Sequence, residues 1–309
     1  MKVFVIVYEW PPNCGGLGFR AKNYISECKV DIDASITKIV VTKKYPQKWK
    51  ASELLLWTLK ARRFVKQRIR LTRPDVIHVF GGLPGIFTIP KTDIPVVISL
   101  SGSDVPGFSE RTSTFYTLFP HYKKMMRKHT LVANSRHFAN LAKRSFGLDI
   151  EVIPPPLPKI KPIKNHIDHI KKAVWVGRDI PRKRKYLAVL QGVVPVEFHT
   201  HTPNVTDILH KYDLFICTSI NEGMSMSMVE AMACGLPVVT TPCGGHEELI
   251  IPGVTGYVCY PLDLSKTLLK AMKTKWNPAI IRDHVAGVCK NAIRDYEKIY
   301  KETNKDRPA

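Results

Sequence analysis

Two glutamates eight residues apart, Glu222 and Glu230, mark the stretch of this chain best suited to chemistry. An apolar run ends at Cys217–Thr218, a loop carries Glu222, Gly223 and Met224, and a helical pattern begins near Ser225 or Ser227. Glycine lets a ligand approach the backbone, and a helix start presents unpaired N–H groups at the positive end of its dipole. Together they form an anion site at the carboxyl end of a strand, where open α/β sheets hold their ligands. Glu230 falls inside the helix, where a carboxylate accepts hydrogen bonds in pairs and suits the vicinal hydroxyls of a ribose. The competing reading is a capping loop followed by a core helix with one exposed glutamate.

A second group follows the run Val174–Gly177. Five of the eight residues from Arg178 to Lys185 are basic, and such side chains neutralise a diphosphate and the charge that develops on a leaving group. Arg178 lies directly after the strand, whereas Arg182, Arg184 and Lys185 read as a solvated basic loop. A third group, Gly15, Gly16 and Gly18, sits between the first strand and the first helix. It resembles a phosphate-binding turn but lacks the lysine of a P-loop. Asp31 and Asp33 imitate the D-x-D pattern of metal-dependent sugar transferases, a match short enough to arise by chance. No Ser–His–Asp elbow is recognisable. The seven cysteines form no C-x-x-C pair and read as reduced thiols, not as a disulfide frame or a zinc site.

These groups need a scaffold. At 309 residues the chain has room for two domains. Apolar runs at Val3–Tyr8, Ile36–Thr42, Val76–Phe80, Val96–Leu100 and Leu131–Asn134 read as strands buried on both faces. After a break come Val174–Gly177, Val196–His199, Leu214–Thr218 and Val238–Thr241. Helical patterns separate them at Phe19–Lys29, Ser52–Arg70, Tyr116–Lys128, Ser135–Phe146, Ser227–Cys234 and Leu264–Lys273. One long final helix is expected from Pro278 to Tyr300. The alternation predicts doubly wound α/β sheets. The break, Pro154-Pro155-Pro156-Leu157-Pro158, cannot continue a helix or a central strand and reads as a linker. Expected boundaries are 1–155, 156–280 and a C-terminal helix, 281–309, packing back on the first domain. No apolar run approaches the roughly 20 residues of a membrane span, and the first run reads as a buried strand, which places the protein in the cytoplasm.

Charge is uneven. Residues 1–150 carry 25 basic and 10 acidic residues, a net of +15, and residues 151–309 carry 22 and 16, a net of +6. Something acidic is therefore expected to meet the first half: nucleic acid, an anionic membrane or a phosphorylated substrate. Leu54, Trp57, Ala61, Phe64 and Val65 fall on one helical face, with Arg62, Lys66 and Arg70 on an adjoining one. A basic amphipathic helix of this kind can meet an anionic membrane surface.

The motifs together resemble a retaining glycosyltransferase of the GT-B fold, family four of that class. The resemblance covers most of the chain. It is most specific over E-x7-E from Glu222 to Glu230, then EAMACGLPVVTT, CGGHEELI and GVTGYV, in family order. Gly177-Arg178 with Lys183 resembles the family's diphosphate clamp, Gly15-Gly16 its N-terminal glycine loop, and Pro74–His78 its PDVIH strand. The resemblance implies two Rossmann-like domains facing across a cleft. It implies a nucleoside-diphosphate sugar as donor, of UDP, GDP or ADP type, with no cofactor and no metal. Glu230 would hold the donor ribose. Glu222 with Gly223, Met224 and Ser225 would lie near the sugar and phosphates, and Arg178 and Lys183 would hold the diphosphate. Ser101 and Asp104 occupy a segment where many relatives carry histidine, and Arg184 stands where the family has glycine after the clamp lysine. Only 35 residues separate Gly177 from Asp213, which implies a compact nucleotide-binding domain. The acceptor would be a glycan or lipid, with Arg62, Lys66 and Arg70 toward an anionic membrane, and the chain a monomer or weak dimer without nucleic acid. A non-catalytic binding protein of the same fold and a GT-B epimerase are the rival readings.

Overall fold

The computed structural model describes residues 1–7, 16–28, 31–38, 51–82, 85–105, 121–157, 160, 167–200 and 205–305. The chain forms two compact units: Met1–Ile153 with Ala292–Ala309, and Pro154–Asn291.

Unit 1 is built on a six-stranded parallel sheet. Its strands are β1 (Lys2–Val7), β2 (Asp31–Lys38), β3 (Val76–Phe80), β4 (Val96–Ser99), β5 (Thr130–Ala133) and β6 (Glu151–Val152), in the spatial order β2-β1-β3-β4-β5-β6. Successive side chains of a strand point to opposite faces, so β1 feeds two cores. Phe4 and Ile6 pack with α2 (Ala51–Thr72), α3 (Gly85–Thr88), α4 (His121–Met126) and α5 (Arg136–Phe146) through Val65, Ile86, Tyr122, Met126 and Phe138. Val3, Val5 and Val7 pack with Ala21 and Tyr24 of α1 (Gly16–Glu27) and with a helix from the end of the chain. Both faces covered, a strand can be apolar throughout, which is why β1, β3 and β4 were legible as runs. Gly147, at φ 69°, ends α5 in the left-handed region that favours glycine, and its N–H bonds Lys143 O.

Unit 2 carries five parallel strands: β7 (Ala173–Val176), β8 (Val196–His199), β9 (Leu214–Cys217), β10 (Val238–Thr240) and β11 (Gly256–Val258), ordered β11-β10-β9-β7-β8. Between them run α6 (Lys185–Leu190), α7 (Thr206–Leu209) and α8 (Met226–Ala233), followed by α9 (Leu264–Lys273) and α10 (Pro278–Cys289). Every residue of α8 except Ser227 is buried, as expected of a helix that is apolar on all sides.

The expected single final helix is two. α10 keeps Ile281, Val285 and Cys289 in the unit 2 core. After Lys290 and Asn291 a separate helix, α11 (Ala292–Lys305), buries Ala292, Tyr296, Ile299 and Tyr300 in unit 1. Residues 281–291 therefore stay with the second unit, and the return to the first begins at Ala292. Strand β2 starts at Asp31, earlier than the expected Ile36, because it pairs with β1 from Lys2 onward. The stretch 39–42 lies outside the described residues. Among the described residues six cysteines are free, and no helix is long and apolar enough to cross a membrane.

Candidate active site

In unit 2 the sheet order reverses between β7 and β9, and such a switch point opens a crevice at the carboxyl ends of the strands. The loops that follow these two strands are the ones that carry Gly177–Lys183 and Thr218–Ser225. They are laced together. Thr218 Oγ1 accepts from Trp175 Nε1 at 3.1 Å and faces the Lys183 and Arg184 carbonyls at 2.8 and 2.9 Å, and Ile220 N donates to Arg182 O at 3.0 Å.

Glu222 is the charged centre. Its Oε1 lies 2.8 Å from both Lys183 Nζ and Arg182 Nη1. Its backbone is fixed as well, with N to Cys243 O at 2.9 Å and O from Gly245 N at 3.1 Å. Burial on its own would raise this carboxyl. The Lys183 and Arg182 charges, with buried His246 beyond them, outweigh burial and hold Glu222 at about 2.

Arg184 does a different job. It adopts φ 44°, ψ 45° between a short helical turn and α6, the left-handed conformation that glycine takes without cost. Its guanidinium donates to Thr218 O at 2.8 Å, Ser219 O at 2.9 Å and Thr241 Oγ1 at 2.9 Å, which binds the loop after β9 to β10. Three charge-assisted bonds offset a backbone strain of about 1–2 kcal/mol. Arg182 and Arg184 thus turn inward, a correction to their reading as a solvated loop. Their partners are main-chain carbonyls, a threonine and a glutamate in other loops, which no local pattern advertises. Lys185 is half-buried, 3.1 Å from Asp179 and with its Nζ 5.3 Å from the centroid of the Phe198 ring, and Arg178 is exposed directly after β7.

Gly223 and Met224 are buried and lead into Ser225, the N-cap of α8, whose Oγ is buried without a hydrogen-bond partner. Glu230, in the second turn of α8, is 8% exposed, and no cation of the described residues pairs with it. Burial pushes its carboxyl up to about 8. A buried hydroxyl at a helix start and a buried carboxyl without a counter-ion are groups that a polar ligand would satisfy. His199 ends β8, at the start of the loop that leads to α7, and is held by Tyr212 Oη at 2.6 Å. The rest of that loop, 201–204, lies outside the described residues.

In unit 1, Gly16 is the first residue of α1 and exposed, while Gly15 lies outside the described residues. Asp104 is fully buried. Its Oδ2 accepts from Gly82 N and Ser101 N at 2.6 Å and from Ser101 Oγ at 3.0 Å, which ties the loops after β3 and β4 together. Asp31 and Asp33 begin β2, at the edge of the sheet away from its carboxyl ends. Arg62, Lys66 and Arg70 are exposed on α2. The apolar face expected there is split: Ala61 and Val65 are buried, but Phe64 is exposed together with Leu56, Leu59 and Leu71. Leu54 and Trp57 lie outside the residues whose side chains are described. Among the described residues no group of three or more His, Cys, Asp or Glu could hold a metal ion.

Residues 17–158 match the family model described as Glycosyltransferase Family 4, and residues 157–276 match the model described as Glycosyl transferases group 1. The chain belongs to these glycosyltransferases. As a glycosyltransferase-family chain it is 27% identical over 234 residues to the putative teichuronic acid biosynthesis glycosyltransferase TuaC of Bacillus subtilis. It is 24% identical over 231 residues to the GDP-mannose-dependent alpha-mannosyltransferase of Mycobacterium tuberculosis. These matches take in 58% and 59% of this chain but only 57% and 59% of the two relatives, so the chain spans less than two thirds of their length. Among solved structures, Anabaena HepE in complex with UDP and glucose superposes with a TM-score of 0.71 at 14% identity, covering 97% of this chain and 99% of that one. Sucrose-phosphate synthase of Thermosynechococcus elongatus gives 0.73 at 16% identity, covering 98% of each. The fold is GT-B.

Proposed function

We propose that this chain transfers a sugar from a nucleoside-diphosphate sugar to a glycan or lipid acceptor, with retention of configuration and without a metal. One observation carries the reading: the two loops at the unit 2 switch point are joined through Glu222, Lys183 and Arg182, in front of a helix that buries an unpaired Glu230. Family membership supports the reaction class, and the nucleotide complexes of HepE support the donor class. In this reading Glu230 accepts the ribose hydroxyls, and Ser225 Oγ with the first N–H groups of α8 meets the phosphates. As the sugar bond breaks, the diphosphate gains charge, and Lys183, Arg182 and Arg178 stabilise it. Glu222 keeps Lys183 in place, and attack from the face of the departing diphosphate through an oxocarbenium-like transition state needs positioning more than a strong base. These cations and a helix start supply the neutralisation that a metal supplies elsewhere.

A ligand that binds only the folded state raises the melting temperature. The test is therefore a thermal-shift screen of UDP, GDP and ADP, followed by labelled nucleotide-sugar transfer with and without EDTA. One nucleotide should stabilise the protein, and Glu230→Ala should weaken it about tenfold, the worth of a lost hydrogen bond that leaves its partner unsatisfied. Transfer should survive EDTA. Unchanged affinity in Glu230→Ala would remove the ribose assignment, and a response to none of the three would remove the donor class.

The outer face of α2 extends the reading to a peripheral position at the inner face of a membrane. Leu56, Leu59 and Leu71 are each more than half exposed and stand among Lys60, Arg62, Arg63, Lys66 and Arg70. Exposed leucines among cations suit an anionic lipid interface.

A further inference from the structure

Unit 1 has its own switch point, between β1 and β3, and a cation stands over it. Arg20, in the second turn of α1, is 3% exposed, and among the described residues no other Lys or Arg is buried. Its Nη2 donates to Tyr296 Oη, its Cζ lies 6.0 Å from the centroid of the Phe80 ring, and its Nε is buried without a partner. Phe80 ends β3, and Ser99, which bonds Tyr296 Oη at 2.7 Å, ends β4. The guanidinium therefore sits at the carboxyl edge of the sheet, where ligands of open α/β sheets bind.

Among the described residues no negative charge answers it. From Ser99 the hydrogen bonds run to His78 Nε2 at 2.8 Å, then from His78 Nδ1 to Tyr300 Oη at 2.7 Å and on to Tyr24 Oη at 2.6 Å. Burial, and then the Arg20 charge, holds the His78 imidazole well below its usual value, so it is neutral. Burial raises the phenols of Tyr24 and Tyr300, so neither offsets the arginine at neutral pH. No carboxylate of the described residues pairs with Arg20, and the first turn of α1 holds no acidic residue. A buried charge left unpaired is strongly unfavourable, and the unbonded Nε is one arm of the fork with which a guanidinium grips a carboxylate or phosphate.

We propose that Arg20 is the seat of an oxyanion, a carboxylate or phosphate group of a bound substrate, at the switch point of unit 1. Because Lys183, Arg182 and Arg178 already serve a diphosphate in unit 2, the acceptor is the source this assigns. That last step rests on the transferase reading; the seat itself does not.

The experiment is calorimetric titration of the full chain, with and without UDP, using glucuronate and glucose 1-phosphate as anionic probes and glucose as the neutral control. An anionic probe should bind about tenfold or more tightly than glucose, Arg20→Met should abolish that preference, and Arg20→Lys should keep part of it. Unliganded Arg20→Met should melt at or above the wild-type temperature, because an unpaired buried charge has gone. If Arg20→Met instead weakens UDP by the same factor and leaves the sugars unchanged, the seat stands and its oxyanion belongs to the donor. Two results overturn the proposal: no anionic preference in the wild type with unchanged UDP affinity in Arg20→Met, or a lower melting temperature in Arg20→Met with all affinities unchanged. Failure of the transferase reading would look different, as wild-type protein that binds no nucleotide.

Discussion

Glu222 and Glu230 are buried carboxyls on the same loop–helix unit, and they titrate in opposite directions. Glu222, held at about 2 against an ordinary value of 4.5, contributes stability that is fully present above about 4.5 and lost as pH falls through about 2. Glu230, raised by burial to about 8, keeps a proton in the folded chain that the unfolded chain releases. Its contribution is fully present below about 4.5 and lost as pH rises through about 8. Glu222→Gln should therefore lower stability at neutral pH by about 3–5 kcal/mol, since Lys183 and Arg182 lose a buried partner, and should blunt the acid-side loss. Glu230→Gln should flatten the fall in stability between about 4.5 and about 8 and leave the acid-side loss below about 4.5 alone. Urea unfolding at acid, neutral and alkaline pH separates the two, and an unchanged profile in both variants would contradict these assignments. At this scale the E-x7-E spacing was legible because loop and helix are contiguous. Arg182 and Arg184 were not, because the residues they hold lie 34 to 57 positions away.

Among elements, strands with an apolar run announced themselves, the edge strand β8 included, and the short or polar edges did not. β6 and β11, both missed, are edge strands of two and three residues, and β2, misplaced, is an edge that begins with aspartates. A strand paired on one side and partly open to water needs no continuous apolar run. Helix α2 shows a related limit. Its periodicity indicated an amphipathic helix, but which leucines face water depends on what the sheet leaves uncovered. The residues to test are therefore Leu56 and Leu59 together with the cations. Vesicle sedimentation should show binding to anionic but not neutral lipid, weakened by salt. At about 1 kcal/mol per basic residue near the surface, Arg62→Glu with Lys66→Glu should reduce it more than about tenfold. Leu56→Ser with Leu59→Ser should weaken it further. Equal binding to neutral vesicles, or none to either, would leave a soluble acceptor as the better answer.

The whole molecule divides in a way that its proline-rich linker announced only once, although the chain passes between the two units twice, after Ile153 and after Asn291. The second crossing was expected near residue 281 and falls after Asn291, because α10 and α11 are separated by two residues and together read as one helix. Removing Ala292–Ala309 should strip Tyr296, Ile299 and Tyr300 from unit 1 and leave His78 without its Tyr300 bond. Scanning calorimetry should show the unit 1 transition lowered or lost and the unit 2 transition in place; the reverse would mean that α11 serves the second unit. The arrangement also sets an order of events during synthesis. Residues 1–153 leave the ribosome first, yet Val3, Val5 and Val7 on one face of their sheet wait for a helix translated near the end. The second unit, contiguous from Pro154 to Asn291, can close in the meantime. The first half of the nascent chain therefore spends the intervening translation time with an apolar face that α1 covers only in part, the condition under which chaperones engage and under which an early stop leaves an aggregation-prone product.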